Sequence, residues 1–342
     1  MKAFADGDRI LLSHGGGGLL SRELVERLFL PRLANPALAA LDDAGVVALG
    51  EQRLALTTDA FVVAPPFFPG GDIGRLAVAG TVNDLAAQGA RPLGLTVAFI
   101  LEEGYPLADL ARVTDSLAAC AREAGVSVVA GDTKVVPRGQ ADGIFVSAAG
   151  VGLIPAGRCP TGAGARPGDR VIVSGPLGEH GLAVMLGRQG IAFAGEIRSD
   201  VAPLNALVEA AYAACADPGA IHAMRDPTRG GLAAALNEIA AASGCAIAVD
   251  EAATPVSPEV RAACDVLGLD PLHLANEGKM VFVVAAETTD AVLAALRAHE
   301  RGRLAAVIGR VTDGAPRVTV RTELGTERLL DVPVGEQLPR IC

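Results

Sequence analysis

Residues 153–169 read LIPAGRCPTGAGARPGD, a stretch dense in glycine and proline that shows neither helical nor strand-like periodicity. Such a composition is typical of a connection between folded units. Segments with periodic apolar residues lie on both sides of it, and 51% of the 342 residues are hydrophobic, which is enough for two ordinary cores. We therefore predict an α/β (α+β) protein with two domains, residues 36–155 and residues 165–330.

The spacing of apolar residues and the positions of glycine and proline predict helices and strands on both sides of this boundary. Before it we predict helices at 20–33, 74–88 and 106–124, strands at 46–49, 53–58, 126–130 and 144–151, and an apolar run at 93–101. After it we predict strands at 170–174, 246–250, 280–285 and 303–311, and helices at 178–189, 203–216, 228–242, 258–267 and 288–299. The ends are a glycine-rich arm with its helix, residues 1–35, and an extended mobile tail, residues 331–342.

Composition narrows the class of function. The net charge is −10 and basic residues form no stripe, which argues against a nucleic-acid partner. No apolar run approaches the roughly 20 residues that cross a bilayer, and the N-terminus becomes acidic too early for a secretory signal, so we expect a cytoplasmic protein. The six cysteines form no CxxC pair, which argues against a zinc knuckle or a dense disulfide framework.

Lysine is scarce, with three lysines against 26 arginines. A chain that uses arginine almost everywhere keeps lysine where a compact ammonium is needed, although chance survival on the surface explains the pattern equally well. Lys134 and Lys279 both lie in the motifs described below, which favours the first interpretation.

A glycine run, SHGGGG at 13–18, precedes a predicted helix. Successive glycines allow backbone N–H groups to converge on an anion near a helix start, although the run is not a Walker P-loop and is equally typical of a flexible arm. His14 within it is a candidate phosphate or substrate contact, and a solvated histidine is the alternative.

Aspartates are scattered through four short motifs: DDA at 42–44, TTD at 57–59, ND at 83–84 and RDPTRGG at 225–231. We expect each at a strand end or turn. Magnesium prefers carboxylate oxygens and commonly bridges them to ATP phosphates, so dispersed aspartates around one cleft would make a Mg-ATP site. Any one of them alone is more typical of a helix cap or solvated turn.

Together the motifs resemble the ATP-dependent superfamily of aminoimidazole ribonucleotide synthetase, selenophosphate synthetase and thiamin monophosphate kinase. Within it, the chain is most similar to the HypE family of hydrogenase maturation factors, the carbamoyl dehydratases. The resemblance covers nearly the whole chain, through the motifs above and through FFPGG at 67–71, GDTKVV at 131–136, ANEGK at 275–279 and PRIC at 339–342.

The resemblance implies two α/β domains that dimerise through N-terminal strands and bind ATP and Mg2+ near the cleft between the domains. Carried over by position, the metal ligands are Asp43, Asp59, Asp84 and Asp226. The residues implied to contact the nucleotide are Thr58, Asp59, Asp84, Gly131, Asp132 and Asp226.

Two charged residues are candidates for the chemistry. Lys134, which we expect where the strand at 126–130 meets a loop, is suited to neutralise a phosphoryl group or polarise a carbamoyl oxygen. Glu277 is suited to take a proton from the substrate nitrogen. A surface lysine and a salt-bridged turn glutamate are the structural alternatives.

The resemblance also assigns a reaction to the C-terminal cysteine. It implies that the carbamoyltransferase HypF loads Cys342 with a carbamoyl group, that ATP drives dehydration of this group to a thiocyanate, and that a HypC–HypD complex accepts the cyanide for the iron of [NiFe]-hydrogenase. A small-molecule phosphotransferase or synthetase on the same fold is the alternative enzyme, and a non-catalytic ATP-binding carrier is the alternative outside enzymes.

Overall fold

The computed structural model describes residues 9–33, 35–190, 195–332, 338 and 340–342. Its strands are β1 (Gly45–Leu49), β2 (Gln52–Phe61), β3 (Phe67–Phe68), β4 (Gly71–Asp72), β5 (Arg91–Glu102), β6 (Val128–Val136), β7 (Ile144–Ile154), β8 (Arg170–Val173), β9 (Ile221–Arg225), β10 (Ala246–Asp250), β11 (Val281–Val284), β12 (Ala306–Thr312), β13 (Arg317–Arg321) and β14 (Glu327–Leu329). Its helices are α1 (Leu19–Leu24), α2 (Leu30–Leu33), α3 (Ile73–Ala87), α4 (Leu107–Ala124), α5 (Glu179–Gln189), α6 (Asn205–Ala213), α7 (Gly231–Ser243), α8 (Pro258–Leu267) and α9 (Thr289–Ala298). Among these described residues, no helix is long and apolar enough to cross a membrane.

The first sheet has the order β1-β2-β7-β5-β6, antiparallel except for the parallel β5–β6 pair. Helices α3 and α4 pack on one face of it, which we call the inner face. The opposite, outer face carries no helix in the described part of the chain.

Strand alternation assigns side chains to these faces, because successive residues of a strand point in opposite directions. On β2, Ala55 and Phe61 are buried under α3, and Thr57 bonds to a side chain of that helix, so Thr57 and Asp59 point inward. Leu56 and Thr58 therefore point outward.

Helix α3 connects the two domains. Asp72 caps its start by accepting hydrogen bonds from the backbone of Gly74 (2.8 Å) and Arg75 (3.0 Å). Thirteen of its fifteen residues are buried, because one side packs on the first sheet and the other meets α6 and β9 of the second domain. Such all-round burial explains why the helix has almost no polar face.

The second sheet has the order β14-β13-β10-β12-β8-β11-β9 and is covered on both faces. Helix α7 lies in the core on one face, and α6 and α9 lie in the core on the other. A salt-bridge cluster ties this domain to the first one: Glu209 of α6 accepts hydrogen bonds from Arg91 (2.7 Å) and from Arg158 (3.0 Å).

Most predicted elements are present, and the helix predicted at 258–267 has the same bounds in the structure. The prediction was wrong for the strand at 126–130, which begins at Val128 and continues to Val136. It missed β3, β4, β9, β13 and β14, which are only two to five residues long, too short for their spacing of apolar residues to be decisive.

The chain ends are partly described. The first eight residues of the arm and residues 333–337 and 339 of the tail lie outside the described residues. The last three residues of the tail are packed against the first domain: Val62 donates to the carbonyl of Cys342 (3.0 Å), and Ala64 donates to that of Arg340 (3.2 Å). Ile341 is buried in the adjoining core.

Candidate active site

The four aspartates come from different parts of the fold. Asp43 precedes β1 and Asp226 follows β9, as the turn expectation requires. That expectation was wrong for Asp59, which lies within β2, and for Asp84, which lies in α3. Their carboxyl groups nonetheless meet, because β2 runs beneath α3 and the inward face of β2 carries Asp59.

The proximity of these four carboxyl groups changes their electrostatics. Burial raises the pKa of Asp84 well above its usual value, and the negative charges of Asp59, Asp226 and Asp43 raise it further. Burial also raises the pKa of Asp226, again with Asp43 and Asp59 contributing. Mutual repulsion of this kind marks a place where a cation would be strongly stabilised.

Hydrogen bonds from Thr57 help to hold the aspartates in place. The Thr57 hydroxyl donates to a carboxylate oxygen of Asp84 (2.7 Å) and also lies 3.1 Å from the carbonyl oxygen of Asp43. Burial raises the pKa of Asp59, and Arg229 and the neighbouring Asp84 carboxyl oppose that rise. The site was predicted to use Thr58, but its neighbour Thr57 is the threonine that contacts the acids.

Glu277 approaches the aspartates from the second domain. Its backbone N–H donates to the Asp200 carboxylate (3.1 Å), and its carbonyl accepts from the side-chain amide of Asn83 on α3 (3.2 Å). The residue is only 2% exposed, and its Oε1 atom has no hydrogen-bond partner among the described residues. Burial raises its pKa well above the usual value, and Asp226, Asp200 and Asp59 add to this.

Two arginines border the acids, and sequence reasoning assigned neither to the site. Arg225 donates from Nε to Asp43 (2.9 Å) and forms a second ion pair with Glu238. Arg229 lies close enough to oppose the raised pKa values of Asp59 and Glu277. Both belong to the RDPTRGG motif, which is the feature of the sequence from which their place at the site could have been predicted.

The glycine run lies against the same motif. Arg229 donates to the carbonyl of Gly15 (2.7 Å), and a Cβ added to Gly17, which has a φ of +76°, would lie 2.6 Å from the Cβ of Arg229. The glycine at 17 therefore permits both the left-handed backbone and the close approach. His14 is turned away from these contacts, and its Nδ1 accepts from the backbone of Leu11 (2.9 Å).

Lys134 and Asp132 lie elsewhere. Both are in the middle of edge strand β6, not at a strand end as predicted, and they form an exposed ion pair of 2.7 Å. The register aligns Gly131 with Asp59 across the sheet, so Asp132 and Lys134 share the outer face with Thr58. Val135 and Val136 are β-branched and extend the strand beyond Lys134. Gly131, which suggested a loop, therefore lies within the strand.

The two domains match the two parts of a known protein family. Residues 41–154 match the AIR synthase related protein family in its N-terminal domain, and residues 166–321 match its C-terminal domain. Carbamoyl dehydratase HypE of Cupriavidus necator is 52% identical to this chain, over 98% of the chain and 95% of that protein. The chain belongs to the HypE family.

Solved HypE structures share the fold. The HypE chain of a HypE–HypF complex superposes with a TM-score of 0.87 at 47% identity, covering 91% of this chain and 99% of that one. A HypE structure in complex with ATP superposes with a TM-score of 0.81 at 48% identity, covering 98% and 100%. The fold class and the family predicted from the sequence are confirmed.

The acidic residues of this HypE-family chain suit Mg2+ in a particular way. Among the described residues, no three histidine, cysteine, aspartate or glutamate side chains converge as a ready-made metal cage. Mg2+ commonly takes only one or two carboxylates and completes its shell with phosphate oxygens and water. The carboxylates of Asp84 and Asp226, whose pKa values are raised by burial and by the neighbouring acids, therefore fit a magnesium ion that arrives with a nucleotide.

Proposed function

We propose that this chain uses ATP to dehydrate a carbamoyl group carried on the thiol of its own Cys342, giving an enzyme-bound thiocyanate. One observation supports this most directly. The partly buried Asp43, Asp59 and Asp84 and the buried Asp226 and Glu277 lie near the strand against which the C-terminal cysteine packs. The Cys342 carbonyl is bonded to Val62, three residues beyond Asp59, which is roughly 10 Å along an extended chain.

Asp43, Asp59, Asp84 and Asp226 would share the binding of magnesium, one or two carboxylates to each ion, and through it the binding of the phosphates. Bound there, Mg-ATP supplies an electrophilic phosphoryl group for the carbamoyl oxygen, which converts a poor leaving group into phosphate. The residues of the chain provide the fixed geometry. Arg225 and Arg229 limit the repulsion among the carboxylates, and burial between the domains limits access of water to an activated carbamoyl group.

Glu277 would move the proton. Elimination of phosphate requires loss of the remaining proton on the carbamoyl nitrogen, and a buried carboxylate with a free oxygen atom is suited to accept it. The raised pKa of Glu277 makes it a stronger base than an exposed glutamate when it is ionised. Asn83 and Asp200 hold its backbone on both sides, so the carboxyl group is the part free to act.

A homodimer would complete the arrangement. The outer face of the first sheet exposes apolar side chains of Val47, Leu49, Leu56 and Ile100, and an uncovered apolar sheet face favours a partner. A second copy packed on this face would bring its own Lys134 and Asp132 to the interface. Within one chain Lys134 lies on the opposite face of the sheet from the acids, so a role for Lys134 in the reaction would require a site that the dimer completes.

The proposed partners follow the family. HypF would load Cys342 with the carbamoyl group, consistent with the solved HypE–HypF complex, and a HypC–HypD complex would accept the cyanide in the cytoplasm during hydrogenase maturation. A small-molecule phosphotransferase would use the same acids but would have no need of a C-terminal thiol. A non-catalytic carrier would have no need of Glu277.

Intact mass spectrometry tests the proposal. After carbamoylation, addition of Mg-ATP should remove one water from the peptide that contains Cys342, with release of ADP and phosphate. Cys342→Ser should keep its fold and nucleotide binding but show no modification and no loss of water, with Cys159→Ser as the matched control. A Cys342→Ser variant that still supports thiocyanate formation would refute the proposal.

A further inference from the structure

A buried histidine contacts the end of the tail. His180, on α5, is fully buried, and its Nε2 atom lies 2.6 Å from the carbonyl oxygen of Ile341. Its Nδ1 atom lies 2.8 Å from the hydroxyl of Ser199, and its ring packs edge-on against Phe68. Both ring nitrogens are therefore occupied, one by the tail and one by the loop after α5.

The partners determine the tautomer. A carbonyl oxygen can only accept, so Nε2 carries the hydrogen and donates to Ile341, which leaves Nδ1 to accept from Ser199. Burial lowers the pKa of His180, which favours the neutral ring that this arrangement requires. The Ser199 oxygen also accepts from the backbone of Val201 (3.1 Å), so its hydroxyl hydrogen is available for the histidine.

The loop that holds His180 also holds Glu277. Asp200, directly after Ser199, accepts hydrogen bonds from the backbone of Glu277 (3.1 Å) and Gly278 (3.2 Å) and pairs with the Lys279 ammonium (2.9 Å). Lys279 also pairs with Glu179, the residue before His180 (3.1 Å). A continuous buried polar network thus joins the Ile341 carbonyl to the backbone of the candidate base.

Further contacts hold the neighbouring peptide groups, including a hydrogen bond from Arg188 to the carbonyl of Arg340 (2.7 Å). The carbonyls of Arg340 and Cys342 accept from Ala64 and Val62, in antiparallel register, and Nε of Arg340 donates to the carbonyl of Val62 (2.9 Å). Arg340 has a φ of +55°, so the segment bends at this residue, and the carbonyl of Ile341 lies between the two bonded carbonyls in sequence. His180 meets that carbonyl, so the tail is held from two sides.

We propose that His180 is a positioning residue that fixes the last peptide of the tail relative to the loop carrying Glu277. Its contact places the segment that bears Cys342, and the Ser199–Asp200 link keeps that placement in register with Glu277. The catalytic meaning of this contact rests on the proposed function. The contact itself can be tested without any turnover.

Alkylation of Cys342 measures tail placement directly. His180→Leu removes the donor, and loss of one buried hydrogen bond should release the tail and speed alkylation of Cys342 by iodoacetamide about five- to tenfold. His180→Gln, which keeps an N–H donor at similar reach, should restore most of the slow rate. His299→Gln, at an unrelated helix end, is the matched control and should alkylate Cys342 as the wild type does.

Other cysteines in the same digest separate local release from unfolding. Exposed Cys159 should react equally fast in every variant, and buried Cys120 and Cys264 should remain unreactive. Ser199→Ala perturbs the same contact more gently and replaces His180→Leu if that variant does not fold, with an expected acceleration of about two- to fivefold. A wild-type alkylation rate of Cys342 in the folded variant would overturn the proposal.

A second readout connects placement to the reaction. With carbamoylated protein and saturating Mg-ATP, His180→Leu should lower the single-turnover rate of water loss while leaving the affinity for ATP unchanged, and His180→Gln should recover it. An unchanged rate of water loss in a His180→Leu variant with a released tail would refute the positioning role. Failure of the proposed function would look different, since the wild type itself would then lose no water.

Discussion

The two faces of the first sheet differ more than their shared strands suggest. The inner face lies under α3 and carries Asp59 next to Asp84 and Asp226, and burial and the neighbouring acids raise the pKa values of these three groups. The outer face exposes apolar side chains and the ion pair of Lys134 with Asp132, whose side chains are 69% and 62% exposed. A sheet of alternating side chains thus separates residues that are adjacent in the sequence.

The difference shows what one copy of the chain can and cannot do. The inner face and the second domain together provide the carboxylates and Glu277. The outer face offers a lysine and an uncovered apolar surface, neither of which reaches the acids within the same chain. The surroundings of a side chain therefore depend on the face it occupies, and a motif such as TTD distributes its members between two faces of the sheet.

The largest effect is expected from the inner face. Asp84→Asn should lower Mg-ATP-dependent water loss about 100-fold or more, because it removes a charge that the cation needs. Its melting temperature without nucleotide should equal or exceed that of the wild type, since a buried, repelled carboxyl group is removed. Thermal denaturation with and without Mg-ATP measures both effects, and Asp115→Asn, on the exposed side of α4, is the control. Wild-type turnover in Asp84→Asn would contradict the assignment.

Mixing subunits tests whether the outer face contributes across a dimer. Lys134→Ala and Asp84→Asn should each be inactive alone, and Lys134→Arg should be nearly as impaired because a forked guanidinium does not replace a compact ammonium. If Lys134 serves the partner's acids, random mixed dimers should recover about a quarter of wild-type activity, from one intact site in half of the dimers. No recovery after confirmed subunit exchange would place Lys134 in the same chain's site or outside the reaction.

Adjacent threonines provide a matched pair for the two faces. Thr57→Val removes the hydrogen bond to Asp84 and should lower turnover about tenfold, since bonds to charged groups are the stronger ones. Thr58→Val lies on the outer face and should leave the nucleotide-free acid cluster intact. Single-turnover assays of the two variants give the comparison, and equal losses would show that Thr58 also serves the nucleotide, as the family resemblance implies.

The smallest effect concerns the contact between domains. Although burial opposes it, hydrogen bonds from Arg158 and Arg91 lower the pKa of Glu209 to about 2. The stabilisation is therefore complete above the ordinary glutamate pKa near 4.3 and is lost as the pH falls towards 2. Between pH 4.5 and 3 the melting temperature of the wild type should fall slightly faster than that of Glu209→Gln. Parallel pH dependences would leave the cluster without a role in stability.

The sequence predicted the acidic residues of the site more completely than the residues that contact them. The four aspartates and Glu277 were predicted because short motifs combine the residue types that magnesium and proton transfer require. Thr57, Arg225 and His180 were not assigned roles, because each acts through a neighbour that is distant in the sequence. His180 gave no signal at all, since a histidine in a helical pattern is as readily a core residue as a functional one.

Local periodicity, the positions of glycine and proline, and short motifs were enough to predict the two domains, most of the helices and strands, the family and the residue types of the site. Which side chains meet depends on how the elements pack. Burial of α3 between the domains brings Asp84 to Asp59, and strand alternation sends Thr58 and Lys134 to the other face. The extension of β6 through its glycine and the docking of the tail on Val62 and His180 likewise depend on partners far along the chain, which local pattern cannot specify.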